Sequence, residues 1–163
     1  MKRCFSRRLL QPASLLICLL GLGLLRPLLP FARATVDDSL TFALEAIDEY
    51  IKAGYTLRED TWGGDLPVGE AKAITHQLFK GNDYWFCMGT DVKGAKISVH
   101  IYDGDGNLVE EKSWQKEKEA NKGGGAFAGA SVKPKRTGTY FLIVKVEKSA
   151  EERTPWGLVY AYK

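Results

Sequence analysis

The sequence predicts a mainly β fold, an antiparallel β-sandwich of about seven strands with one N-terminal amphipathic helix. Three observations lead to this prediction: one segment with helical spacing, a series of short β-type runs after it, and turn residues between those runs at regular intervals. The clearest run is Lys96 to Tyr102, in which aliphatic and polar side chains alternate strictly. Short runs at this spacing are typical of a two-sheet sandwich.

Residues 1–34 are typical of an export signal, because basic residues precede a leucine-rich run. Ala32 and Ala34 form the small-x-small pattern of a signal peptidase site, so we expect cleavage after Ala34. The mature protein is then expected in the periplasm or outside the cell, without membrane contact. A retained membrane anchor is the alternative, and Arg7-Arg8 resembles a twin-arginine signal that would replace the general secretory route.

Cleavage changes the charge of the chain. Residues 1–34 hold six of the 23 lysines and arginines and no acidic residue, so the mature chain has 17 basic against 20 acidic residues and a net charge of −3. This balance gives no reason to expect nucleic-acid binding. Only Cys87 of the three cysteines lies beyond the signal, so no internal disulfide is expected and the core must hold the fold.

The N-terminal part of the mature chain, residues 35–69, is predicted to form a helix and a loop that pack with the rest as one domain. Helical spacing of apolar residues covers 37–53, with Asp37, Asp38 or Ser39 as cap and Gly54 as terminator. The expected packing stripe is Leu40, Ala43, Leu44, Ile47 and Ile51. Residues 55–70 lose this pattern and read as a loop.

The predicted sandwich occupies residues 70–163. Its strands are expected at 71–79, 84–88, 96–102, 108–113, 129–133, 140–144 and 156–162. The runs 84–88 and 140–144 are apolar throughout, so both of these strands are expected to be covered on both faces. The Lys/Glu-rich and glycine-rich segment 114–128 is expected to be a mobile loop.

Residues 70–162 resemble the bacterial pre-peptidase C-terminal domains. The motifs that carry this resemblance are Gly81-x-x-Tyr84-x-Phe86, the strand ending in Tyr102-Asp103 before Gly106, and Gly138-Thr139-Tyr140 at the start of an apolar run. The resemblance implies a β-sandwich of jelly-roll type. It also implies a non-catalytic module, since members are usually appended to exported peptidases and other enzymes, although here no enzyme domain precedes the module.

One turn contains a possible metal site. Asp103, Asp105 and Asn107 stand at alternate positions, which is how a short loop can present several oxygen ligands to calcium. Leu108 and Trp114 stand where an EF-hand needs glycine and glutamate, so this is not an EF-hand. The alternative is a hairpin turn, which favours the same residue types. We expect no other cofactor.

No catalytic motif of a known class is present. His76 and His100 have neither a partner nor metal-ligand spacing, and we expect both at the surface or in a groove. Cys87 is expected in the core. The aromatic residues Trp62, Trp85, Trp114, Trp156, Tyr160 and Tyr162 can in part form a binding platform. Trp62 and Trp114, with Asp65, are the expected contact residues because they lie in or beside predicted loops.

These observations lead to three hypotheses of different classes. The first is an exported non-catalytic module that binds an envelope or extracellular protein or polysaccharide. The second is a structural domain stabilised by calcium at the 103–107 turn. The third is a hydrolase that uses paired carboxylates, either Asp65 with Glu70 or Asp103 with Asp105.

Overall fold

A computed structural model describes residues 35–119 and 123–163 of the protein. These residues form one helix and nine strands, arranged as two antiparallel sheets. The predicted mainly β antiparallel sandwich with one N-terminal helix is therefore confirmed. The predicted export signal, residues 1–34, lies outside the described residues. No helix within the two described ranges is long and apolar enough to cross a membrane.

The elements follow the chain in a simple order. They are α1 (Val36–Lys52), β1 (Thr56–Leu57), β2 (Trp62–Pro67), β3 (Ala71–Leu78), β4 (Tyr84–Thr90), β5 (Lys96–Tyr102), β6 (Lys112–Glu117), β7 (Ala126–Val132), β8 (Gly138–Lys148) and β9 (Arg153–Tyr162). The larger sheet has the order β1-β9-β4-β7-β6, with β2 also paired to β9. The smaller sheet has the order β3-β8-β5.

The main core lies between the two sheets. Alternate residues of each strand point inward, so that Phe86 and Trp156 of the larger sheet pack with Ile97, Ile101 and Leu142 of the smaller one, all fully buried. This alternation is the reason for the period-2 pattern in the sequence. Strand β4 is buried along its whole length, as predicted for 84–88.

Helix α1 covers the outer face of the larger sheet. It is capped by Thr35, whose hydroxyl accepts a hydrogen bond from the Asp38 backbone N–H at 3.2 Å, and not by Asp37, Asp38 or Ser39 as predicted. Ala43 and Ile47 are fully buried against Cys87, Val159 and Ala161 of the strands below. A second, smaller core thus lies between helix and sheet.

The helix sits close to the sheet because a row of glycines lies beneath it. Gly63, Gly157 and Gly89 are direct partners across β2, β9 and β4, and they lie under the first half of α1. A side chain at Gly157 would have its Cβ 2.6 Å from Cα of Leu40. The predicted stripe was therefore wrong in part, because small helix residues such as Ala43 face this row while Leu44 and Ile51 are 43% and 36% exposed.

Two predicted loops are wrong. The segment 55–70 contains β1 and β2, both of which pair with β9. The segment 114–128 contains the end of β6 and the start of β7, which pair in register from Lys112 to Glu117. Strands β1, β2 and β6 lie at the edges of the larger sheet, where one side is solvated and polar or glycine-rich sequence is tolerated. Strands β1 and β2 raise the number of strands from the predicted seven to nine, whereas the second segment extends strands already predicted nearby.

Two predicted strands also differ in detail. Residues 108–109 do lie beside β5, since Tyr102 bridges Leu108 and the Val109 N–H donates to the Ile101 carbonyl, but the chain then crosses to the larger sheet as β6. This crossing was not predicted because it requires knowledge of both sheet edges. In β8, Phe141 and Ile143 are only half-buried, because α1 covers the other sheet and leaves the outer face of this one without a helix.

Candidate functional site

A groove of about 350 Å³ opens at one edge of the sandwich, where β3 of the smaller sheet faces β9 and β4 of the larger sheet. Its rings are those of His76, Phe79, Tyr84, Tyr160 and Tyr162. Its polar side chains are those of Arg58, Asp60, Gln77 and Asn82. We call this the aromatic groove. Among the described residues that line it, none has an aliphatic hydrocarbon side chain.

Alternation along the strands brings these rings together. Tyr160 and Tyr162 stand two apart on β9, and Tyr84 is the direct partner of Tyr162 on β4. Residues that face each other across an antiparallel pair lie on the same side of the sheet. His76 reaches the same space from β3, with its ring centroid 4.8 Å from that of Tyr160 and nearly edge-on to it. The floor of the groove is therefore a continuous aromatic surface.

A cation and an anion flank the hydroxyl of Tyr160. This hydroxyl donates to Oδ2 of Asp60 at 3.2 Å, and the guanidinium of Arg58 interacts with the same hydroxyl. The Arg58 guanidinium also lies 5.8 Å from the ring centroid of Tyr162. Burial raises the pKa of Tyr160, so its hydroxyl stays protonated at neutral pH and remains a donor to Asp60.

The β3–β4 turn forms the rim of the aromatic groove. The Tyr84 hydroxyl accepts hydrogen bonds from the Phe79 backbone N–H at 3.1 Å and from Nδ2 of Asn82 at 3.0 Å. These two bonds tie the turn to a buried strand. Phe79 itself is 52% exposed, so the rim presents an aromatic side chain to solvent in a fixed position.

His76 packs among the aromatic rings at the groove. Its ring lies 5.2 Å from Trp62 and 6.3 Å from Phe86 between centroids, in addition to its contact with Tyr160. Burial lowers the pKa of His76, so the imidazole is neutral at pH 7. As predicted, this histidine lies in a groove.

The three residues predicted as a contact surface do not lie together. Trp62 is on β2 and half-buried behind the aromatic groove, 5.7 Å from the Tyr160 ring. Trp114 is on β6, at the opposite edge of the sheet, where its Nε1 donates to the Tyr50 hydroxyl at 2.8 Å and helps hold α1. Asp65 accepts from Nε of Arg153 at 2.6 Å. Trp62 alone adjoins the groove.

The 103–107 turn is closed by its own hydrogen bonds. Oδ1 of Asp103 accepts from the backbone N–H groups of Asp105 and Asn107, each at 2.9 Å, and also from the Asn107 amide at 3.3 Å. These bonds lower the pKa of Asp103. Asp105 forms an ion pair with Arg136, and Gly106 takes φ +83°. The side chains of Asp103 and Asn107 thus hold the turn, and that of Asp105 pairs with Arg136.

The described residues were also compared with the ligand sets that hold metal ions. Over residues 35–119 and 123–163 there is no group of three or more His, Cys, Asp and Glu side chains arranged to hold a metal ion. A cleft of about 570 Å³ lies beside the 103–107 turn, but its charged side chains carry both signs, as in the pair of Asp105 and Arg136. Cys87 is fully buried, as predicted, and burial raises the pKa of its thiol.

Sequence reasoning missed most of the aromatic groove. It named Tyr160 and Tyr162 as possible platform residues but did not select Phe79, Tyr84, Arg58 or Asp60. The available signal was the spacing of two between Tyr160 and Tyr162 and between Tyr84 and Phe86, which places each pair on one face of its strand. The pairing of β9 with β4 and the approach of β3 cannot be read from spacing.

The fold and the groove define a small antiparallel β-sandwich with an aromatic cleft at one edge. Comparison with models of known protein families finds no match, and comparison with curated proteins finds none either. Among solved structures, the chain is similar to the crystal structure of the lipase BlEst2 of Bacillus licheniformis in its propeptide form. The TM-score is 0.46 at 13% identity, and the match covers 63% of this chain and 21% of that chain.

Proposed function

We propose that this protein is an exported, non-catalytic binding module whose aromatic groove holds a polysaccharide chain. The observation that carries the proposal is the composition of the groove: every side chain that lines it among the described residues ends in a planar group, either an aromatic ring or a guanidinium, carboxylate or amide.

The aromatic rings and the polar planar groups match two different parts of a sugar, its C–H faces and its hydroxyls. The C–H faces of a pyranose are apolar and stack on aromatic rings, as apolar surfaces generally do. Its hydroxyls come in neighbouring pairs that donate and accept together, which matches Asp60, Arg58 and the side-chain amides.

Glycoside hydrolysis requires more than the groove supplies. Most glycosidases use two carboxyl groups, about 5 to 10 Å apart, on either side of the bond that breaks. Asp60 is the only carboxylate among the described lining residues, and it accepts a hydrogen bond from Tyr160. The pairs considered from the sequence lie elsewhere, with Asp65 bonded to Arg153 and Asp103 bonded within its turn. Binding without cleavage is the simpler use of this geometry.

Export is the second part of the proposal. The basic start, the leucine-rich run and the Ala32-x-Ala34 pattern support secretion, and cleavage after Ala34 would leave Thr35, the cap of α1, as the first residue. Resemblance to the pre-peptidase C-terminal domains supports a non-catalytic role. A module of this kind would meet polysaccharide in the cell envelope or outside the cell.

Removal of the rim ring tests the proposal. In affinity electrophoresis through gels that contain soluble polysaccharides, we expect the wild-type protein to be retarded and Phe79→Ala to lose at least about five-fold in affinity, because one stacked ring contributes about 1 kcal/mol or more. Leu108→Ala is the matched control, since Leu108 is 54% exposed and lies in the turn after β5, outside the groove.

The possible results separate clearly. Retardation that Phe79→Ala abolishes and Leu108→Ala preserves supports the proposal. Equal retardation of all three proteins would place the ligand elsewhere on the surface. If no polysaccharide retards the wild type, while a crosslinked protein is recovered from the native envelope by wild type and not by Phe79→Ala, the aromatic groove is a protein-binding site and the proposal is wrong.

A further inference from the structure

Resting on the proposed function, we infer that the ligand of the aromatic groove is an uncharged glycan, a chain of neutral sugars without carboxylate, sulfate or amino groups. The inference comes from how the charges in the groove are arranged. The lining contains one cation, Arg58, and one anion, Asp60, and both interact with the same hydroxyl group.

That group is the hydroxyl of Tyr160, which donates to Oδ2 of Asp60 at 3.2 Å and also interacts with the Arg58 guanidinium. The Arg58 guanidinium and the Asp60 carboxylate also interact electrostatically with each other. The imidazole of His76, which also lines the groove, is kept neutral at pH 7 by burial that lowers its pKa. The groove therefore has no net charge to attract a charged polymer.

A charged sugar would meet this pair poorly. A uronic acid carboxylate placed against Arg58 would also face Asp60, and an ammonium placed against Asp60 would face Arg58. Unfavourable juxtaposition of like charges is costly in a partly desolvated site. A neutral hydroxyl avoids this conflict because it can donate to Asp60 and accept from Arg58 at the same time.

The test compares three pools of purified polysaccharides: neutral glucans, mannans and xylans; anionic polygalacturonate and alginate; and cationic chitosan. We expect the tightest binder to be neutral, at least about ten-fold tighter than any charged polymer, with an affinity that changes less than about two-fold between low and high salt. A charged polymer that binds as tightly, with strong salt dependence, overturns the inference while leaving glycan binding intact. Failure of every pool overturns the proposed function instead.

Two matched variants test whether Arg58 and Asp60 determine the preference for neutral over charged polymers. Asp60→Asn leaves Arg58 as the only charge and should raise affinity for polygalacturonate by at least about three-fold, while Arg58→Gln should do the same for chitosan. Both residues are solvent-exposed, so both variants should fold, and an unchanged melting temperature will show it. If neither variant alters the preference for charged polymers, the pair of Arg58 and Asp60 does not set the selectivity and the inference is wrong.

Discussion

Replacing Gly157 by alanine tests whether the row of glycines under α1 holds the fold together. The new Cβ would lie 2.6 Å from both N and Cα of Leu40, about 0.8 Å inside the 3.4 Å at which ordinary contacts begin. The atoms that it meets belong to the helix backbone, so no side chain can rotate away. Either the helix moves outward or β9 moves inward, and both changes disturb the close packing of the second core.

The expected loss can be worked out from these contacts. Overpacking a dense site costs about 1–3 kcal/mol, and clash with a backbone places this case near the upper end. Alanine recovers about 0.5–1 kcal/mol because it has less freedom than glycine in the unfolded chain. We therefore expect Gly157→Ala to lower the free energy of unfolding by about 2 kcal/mol and the Tm by roughly 8 °C.

Urea unfolding followed by tryptophan fluorescence provides the assay, since Trp156 is fully buried. Gly138→Ala is the control, because a Cβ at Gly138 would meet no atom within 4 Å and its φ lies outside the left-handed region. It should leave the free energy of unfolding unchanged or raise it by up to about 1 kcal/mol. If Gly157→Ala unfolds at the same urea concentration as Gly138→Ala, close approach of the helix does not contribute to stability and the reasoning is refuted.

Three further predictions concern ionisable groups. Cys87 should not react with a disulfide reagent until urea unfolds the protein, because it is buried and burial raises the pKa of its thiol; fast labelling of the native protein contradicts this. Burial lowers the folded pKa of His76 below its usual value near 6.5. Below that pH the unfolded chain binds a proton more readily than the folded protein, so the free energy of unfolding is highest above it and falls as the pH falls. His76→Gln should accordingly lose less stability than wild type between pH 7.5 and 5.0, and equal losses refute the assignment. Adding calcium or a chelator should leave the Tm unchanged to about 1 °C, since Asp103 already accepts the hydrogen bonds of its turn; a rise of several degrees with calcium restores the metal hypothesis.

The elements that could be predicted are those whose burial pattern is local. Strand β5 is the clearest case, because alternation from Lys96 to Tyr102 fixes its boundaries without reference to any partner. Strand β4 was equally accessible as an apolar run. The helix was found within one residue at each end for the same reason: its apolar spacing repeats along a single element.

The elements that were missed depend on a partner. Strand β2 begins Trp62-Gly63-Gly64, which is turn-like sequence, yet Gly63 makes room for the Val36 side chain, whose Cγ1 would lie 2.5 Å from a Cβ there. Strand β6 is rich in Lys and Glu because it is an edge strand, with Trp114 as its half-buried residue. Neither composition could be interpreted before the neighbouring element was known.

The candidate site was missed for a related reason. Tryptophans were favoured over tyrosines because they lie near predicted loops, but Trp114 is tied to Tyr50 under the helix, whereas the groove is lined by strand tyrosines. Bringing Tyr160, Tyr84 and His76 together requires three strands from two sheets. Distance between strands in space is set by topology, and topology was the part of the fold that the sequence left open.

Strand β9 contributes both to the packing of α1 and to the aromatic groove. Its outward face carries Gly157 and Val159, on which α1 packs, and its inward face carries Tyr160 and Tyr162, which form the aromatic groove. Helix packing and the proposed binding surface thus lie on opposite faces of one strand. Loss of helix packing should disturb both, because it displaces the strand that positions the rings, whereas loss of the exposed Phe79 ring should weaken binding alone. Comparing Gly157→Ala with Phe79→Ala in both the urea and the electrophoresis assays would separate a groove that the helix supports from one that forms without it.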